Sequence, residues 1–147
     1  MDAVPFHIGI TTDDLAASME RLSVSLGVSW TVPGSGGGLF HSVDGGPQPQ
    51  PVSCISREGP IHFDLIEGKP GTIWATAGPR LHHLAYWTDD LRGDIEQLAE
   101  DGWRLELTKP DDEGNPTVFA YLIRDDGLRL ELIDEAGRDN YASRLTE

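Results

Sequence analysis

Cysteine is nearly missing from this chain of 147 residues. Its single thiol, Cys54, cannot close an intrachain disulfide, and zinc patterns built on paired cysteines are excluded. Cys54 has no activating partner in sequence, so a nucleophile role is not expected. Basic residues are scarce as well: 11 Lys and Arg stand against 25 Asp and Glu, a formal charge of −14. Such a field repels polyanions, which argues against nucleic acid and anionic membrane surfaces as partners. A single anionic ligand stays open, because a local arginine or metal ion outweighs the global field at short range. No run approaches the roughly 20 apolar residues of a membrane span. The opening MDAVPFHIG lacks a basic and then apolar signal pattern, so the chain reads as soluble and cytoplasmic. The run Gly36-Gly37-Gly38 lacks the lysine and helix of a phosphate loop and reads as a flexible loop.

What the chain does have is a phrase written twice. Residues 7–15 read HIGITTDDL and residues 83–91 read HLAYWTDDL. Each copy begins on an alternating strand, about Val4–Thr11 and Leu81–Trp87, and runs into an acidic helix start. Thr12 and Thr88 are the expected N-caps. Leu15, Met19, Leu22 and Leu26 follow helical spacing up to Gly27, and Leu91, Ile95 and Leu98 do so up to Gly102. Short strands follow in each half. In the first they are about Ser29–Val32, Leu39–Val43 or Val52–Ser56, and Ile61–Glu67, with Gly34–Gly38 and Asp44–Pro51 as loops. In the second they are Arg104–Thr108, Thr117–Arg124 and Leu128–Ile133. The halves also end alike, HFDLIE at 62–67 against RLELID at 129–134. The expected class is therefore α+β, two β-α-β-β-β modules at 4–67 and 80–134 joined by a connector at 68–79. Residues 135–147 are polar and read as a frayed tail or a short terminal helix.

Period-two alternation assigns faces. His7 lies opposite Phe6, Ile8 and Ile10. Apolar residues on the outer face must meet the helices, so His62, Asp64, Arg129 and Glu131 face the concave side together with His7 and His83. His82 then faces the helices and is structural, as is His41. A lone strand histidine is usually structural, but here the same residue types recur at the same point of both halves. His7, Asp64, His83 and Glu131 thus form a mixed nitrogen and oxygen set suited to a borderline or hard divalent ion. Trp87 shares the inward face of His83 and is a candidate for contacting substrate. Trp74 and Trp103 read as packing residues.

With these four residues in place the chain resembles the vicinal oxygen chelate superfamily, which includes glyoxalase I, bleomycin resistance proteins, extradiol dioxygenases and methylmalonyl-CoA epimerase. The likeness covers about residues 4–134 and rests on FHIGITTDDL, LHHLAYWTDDL and LRLELID. It implies a single domain over 1–147 with a cup-shaped mixed sheet around a divalent metal (Zn, Ni, Co, Mn, Mg or Fe). It also implies that His7, Asp64, His83 and Glu131 are the ligands. Asp64 departs from the pattern, which more often has Glu or Gln there. The arrangement looks most like the compact epimerase branch. Yet no glutamate in Trp30–Val43 matches the epimerase's extra base, which argues against racemisation of methylmalonyl-CoA.

The resemblance implies a lyase, isomerase or epimerase acting on a small oxygen-rich substrate through a metal-stabilised enolate or oxyanion. The base is expected to be His62, or a metal carboxylate such as Glu131 that swings free. Arg129 is expected to hold an anionic substrate group by a two-pronged contact. The alternatives are a metal-free binding or resistance protein and a non-haem iron dioxygenase. Loops 34–38, 44–51, 68–79 and 109–116 are expected to rim the cup. They carry no basic cluster for a long polyphosphate, which disfavours coenzyme A esters. A homodimer is expected by likeness to relatives.

Overall fold

The repeated phrase folds into two neighbouring strands at the middle of the molecule. In the computed structural model, which describes residues 1–147 except Gly37 and Gly45, β1 (His7–Thr12) runs antiparallel to β6 (Arg80–Thr88). Gly37 of the glycine run and Gly45 of the expected 44–51 loop lie outside the described residues. Each central strand takes the last strand of its own module as a parallel partner: β5 (His62–Glu67) beside β1 and β9 (Arg129–Asp134) beside β6. The registers are equivalent, since Gly9 pairs with Asp64 and Ala85 with Glu131. Each carboxylate therefore stands opposite the residue two places after its histidine, as the repeat requires.

Helix α1 (Leu15–Leu26) follows β1, and α2 (Leu91–Glu100) follows β6. The caps differ from expectation. Asp14 and Asp90 are the N-caps, their carboxylates accepting from Ala17 N and Gly93 N, both at 3.0 Å. Thr12 and Thr88 are buried at the strand ends instead, and their hydroxyls accept from the Asp14 and Asp90 amides. Aspartate competes for the cap as well as threonine does, and strand ends that bury both threonines leave the aspartates to take it. Gly27 ends α1 with φ 70°, as its left-handed backbone allows. The expected stripe on α1 is only partly realised: Leu26 is 53% exposed. Helix α2 packs better, placing Leu91 against Trp103, Leu122, Leu130 and Leu132, with Ile95 and Leu98 beside them.

The remaining strands are β2 (Leu39–Ser42), β3 (Gly46–Pro49), β4 (Ser53–Ile55), β7 (Arg104–Pro110) and β8 (Pro116–Ile123). Together they make a nine-stranded mixed sheet in the order β3-β2-β7-β8-β9-β6-β1-β5-β4. Three elements differ from the sequence reading. Ser29–Val32 is not a full strand but touches the β4 segment through single bridges at Trp30 and Gly34. Leu39–Ser42 leaves its own module and pairs with β7 of the other. The expected loop at 44–51 contains β3, which carries Pro47 and Pro49 on the outermost edge of the sheet, where a missing N–H is tolerated. The β2–β3 hairpin so ties the first module to the far edge of the second and helps to wall the cup.

The tail is ordered. Residues Glu135–Gly137 form a 3-10 turn and Arg138–Arg144 form α3. Arg57 Nη1 donates to Leu145 O and Nη2 to Glu147 O, each at 2.6 Å, which docks the tail on the first module. Among the described residues no helix is long and apolar enough to cross a membrane.

Candidate metal centre

The concave face gathers His7, His83 and Glu131 at its centre. His7 Nε2 lies 2.9 Å from His83 Nε2, and both nitrogens lie 3.1 Å from Glu131 Oε2. All three residues are buried. Asp64 stands just outside this triangle, with Oδ2 at 3.8 Å from His7 Nε2 and a buried Oδ1 that has no hydrogen-bond partner among the described residues. Three of the four expected ligands thus converge at bonding range, and the aspartate, one methylene shorter than a glutamate, stops short.

Gly9 and a bulge give His83 its place. Between Gly9 and Ile10 the β1–β6 register shifts, so that Gly9 pairs with His83 but Ile10 with Leu81. The extra residue is His82, and a bulge of this kind turns two successive side chains toward one side. The expectation that His82 faces the helices is therefore corrected. Its Nδ1 lies 2.9 Å from His83 Nδ1, and its Nε2 donates to Ile73 O at 2.8 Å. Burial, then the charges of His83 and Arg129, push His82 down to about 3, so it is neutral. A neutral His82 that donates from Nε2 can only accept at Nδ1, so His83 must donate from its own Nδ1. That leaves His83 Nε2, facing His7 and Glu131, as the atom that carries a proton or binds a metal ion.

Lone pairs and a carboxylate oxygen about 3 Å apart repel unless a cation, proton or metal, sits among them. The donor set of two imidazoles and one or two carboxylates fits a divalent ion. Burial by itself would raise the Glu131 carboxyl, but hydrogen bonds from His7 and His83 outweigh it and hold the group well below the usual range. Asp64 goes the other way: burial raises it, and the nearby imidazoles only partly compensate. Cys54, wholly buried, is pushed up to about 12 by desolvation, in keeping with an inert thiol.

The centre opens on a cavity of about 380 Å³. Aromatic side chains supply much of the wall, including Phe40 from β2, Trp74 from the connector, Trp87 from β6 and Phe119 and Tyr121 from β8. Each of the four expected rim loops contributes, through Gly36 and Gly38, Gln50 and Pro51, Trp74, and Lys109. A second bulge shapes the far wall. Thr108 pairs with Ala120 but Lys109 with Thr117, which leaves Val118, at φ 64°, and Phe119 as extra residues, both lining the cavity. Trp87 lines it too, stacked on Phe6 with ring centroids 4.0 Å apart.

Two expected site residues stand elsewhere. His62 is not on the cavity wall; its Nδ1 donates to Ser56 O at 2.7 Å and its ring faces that of Tyr141. Arg129 makes its two-pronged contact with Glu106, from Nε at 2.7 Å and Nη2 at 2.9 Å, and also lies off the cavity. Alternation alone places both on the concave side, but neighbouring carbonyl and carboxylate acceptors hold their polar atoms away from it. Conversely, α3 brings Asn140, Tyr141 and Arg144 to the cavity. Tyr141, the lone aromatic of the tail, packs against Phe6, Trp87 and His7, and the i, i+3 spacing of Tyr141 and Arg144 was its only sequence signal.

Residues 6–121 match the family model described as the Glyoxalase/Bleomycin resistance protein/Dioxygenase superfamily. The chain belongs to this superfamily. Among solved structures, a variant of the methylmalonyl-CoA epimerase of Streptomyces coelicolor, in complex with 2-nitronate-propionyl-CoA, superimposes with a TM-score of 0.60 at 19% identity, over 90% of this chain and 97% of that one. The epimerase of Mycobacterium tuberculosis gives a TM-score of 0.58 at 19% identity, over 97% of both chains. A 4-hydroxymandelate synthase variant of Streptomyces coelicolor gives 0.59 at 17% identity, with 89% of this chain matching 47% of that one. At such identities the likeness speaks for the fold. None of the curated proteins matches this sequence.

Proposed function

We propose that this glyoxalase-superfamily protein is a divalent-metal-dependent lyase, isomerase or epimerase acting on a small oxygen-rich substrate by way of an enolate or oxyanion. The observation that carries the proposal is the meeting of His7 Nε2, His83 Nε2 and Glu131 Oε2 within 3.1 Å of one another at the floor of a cavity. His7, His83 and Glu131 would hold the ion, with His82 fixing the tautomer of His83 from behind. When bound, the ion supplies Lewis-acid polarisation of two neighbouring substrate oxygens. Asp64 is the group that takes the proton: its Oδ1 is buried, unpartnered among the described residues and on the cavity wall. Trp87, Trp74 and Phe119 hold the body of the substrate and exclude water. His62 and Arg129 have no part in this proposal, because their polar atoms are bound outside the cavity. A cytoplasmic homodimer completes it, checked by the mass of the protein in solution.

The three-ligand set also favours a second reading, since two histidines and one carboxylate are the ligands of non-haem iron oxygenases. One experiment separates them. Zinc- or nickel-loaded protein is incubated in D2O with small 2-oxo acids and malonyl thioesters, and the carbon beside the carbonyl is followed by NMR. Deuterium uptake that disappears in Asp64→Asn supports the proton-transfer reading. Oxygen consumption by the iron form, with no exchange in the zinc form, supports the oxygenase. Tight binding of a small molecule to metal-free protein without either reaction supports a sequestering protein.

A further inference from the structure

We infer that the C-terminal helix makes this cavity selective for substrates bearing a carboxylate apart from the oxygens that meet the metal, with Arg144 as its principal partner and Lys109 as a second charge. Acids outnumber bases more than two to one in this chain, so a half-buried arginine on a cavity wall with no carboxylate paired to it stands out. Arg92, Arg104, Arg124, Arg129 and Arg138 each pair with a carboxylate, Arg57 is spent on backbone carbonyls, and Arg21 and Arg80 are exposed and off the cavity. Arg144 is half-buried on the cavity wall and has no hydrogen bond or ion pair among the described residues. Lys109, on the same wall at the second bulge, has no ion pair among them either.

The carboxylates already in the cavity make no ion pair with Arg144: Glu131 is held by the two histidines, and Asp64, although it feels the charge of Arg144, stands beside His7. The arginine is also held in place. The Arg57 clamp on Leu145 and Glu147 follows it in sequence, and Tyr141, one turn earlier, packs at right angles against the stacked rings of Phe6 and Trp87. A planar guanidinium on a docked helix, with one ammonium beside the same space, suits a single planar anion. The apolar walls suit an unsaturated or aromatic body between that anion and the chelating oxygens. The inference rests on the proposed metal site for the orientation of such a ligand, but not for the charge preference.

The test compares 3,4-dihydroxybenzoate with 3,4-dihydroxybenzamide, which share a vicinal oxygen pair and differ in charge at the far end. Binding to zinc-loaded protein is measured by calorimetry, with zinc content determined for every variant. The inference expects the benzoate to bind at least about tenfold more tightly than the benzamide. That gap should close in Arg144→Met, return in part in Arg144→Lys, and narrow in Lys109→Met, at unchanged zinc content. Equal binding of the two probes overturns it, as does a gap that survives Arg144→Met. A gap that depends on Arg144 while neither probe responds to zinc removal supports the charge assignment and overturns the metal reading instead.

Discussion

Gly9 and His83 share one space: a Cβ built on Gly9 would lie 2.0 Å from Cε1 of the His83 ring. The bulge turns His83 toward the centre, and the missing side chain on the neighbouring strand lets the ring lie flat against the backbone there. At the equivalent place in the other module Ala85 is fully buried, so a methyl group fits on one side of the pseudo-symmetry and not on the other.

Gly9→Ala should therefore displace His83 rather than unfold the protein. The expected loss is about 10–100-fold in zinc affinity, as for other disturbances of ligand orientation. Competition with a chromogenic chelator measures it, and an unchanged affinity would contradict the close approach.

In the proposed metal site, His82 would act through the tautomer of its neighbour. Substituting phenylalanine keeps a ring in the space but removes the acceptor for the His83 Nδ1 proton. Zinc affinity should fall about tenfold in His82→Phe. Nitrogen-15 NMR of the imidazoles gives the more direct evidence, since His83 should carry its proton on Nδ1 in the parent protein and lose that preference in the variant.

The Arg129–Glu106 pair belongs to stability. Both side chains are mostly buried, at 16% and 17% exposure, and neither reaches the cavity. Arg129→Met strands a buried carboxylate and should cost about 2–3 kcal/mol of unfolding free energy, while the double variant with Glu106→Leu regains most of it. Chemical denaturation reads the stability. Zinc affinity and the benzoate preference should stay as they were.

Glu131 and Asp64 give the metal-free protein opposite responses to pH. Glu131 is held low in the folded state, so its stabilisation is complete above the ordinary glutamate value of 4.5 and is lost as pH falls through the depressed one. Asp64 is held high, so it contributes nothing below 3.8 and its ionisation costs stability above its raised value. In chelator-treated protein at pH 7, Glu131→Gln should lower the melting temperature and Asp64→Asn should raise it. Glu131→Gln should also flatten the decline in stability between about pH 5 and 3.

The repeat and the two-residue period made the centre legible: His7, Asp64, His83 and Glu131 were all placed on the concave side from local pattern. The same rule misplaced His82, because a bulge depends on the register between strands and leaves no trace in either strand alone. It also could not tell that Ser56 O and Glu106 would capture His62 and Arg129. The β3 strand was hidden by Pro47 and Pro49, which read as loop until the edge position is known. Tyr141 and Arg144 were beyond reach for a further reason. They lie past the second module, with no counterpart in the first, so symmetry had nothing to say about them.

Metal content tests the central claim most directly. Protein purified without chelator, then titrated with zinc, should bind one ion per chain, and His7→Ala, His83→Ala and Glu131→Ala should each abolish tight binding while Asp64→Asn retains it. Folded parent protein that takes up no divalent ion, or an ion that remains tightly bound in all three alanine variants, would contradict the account.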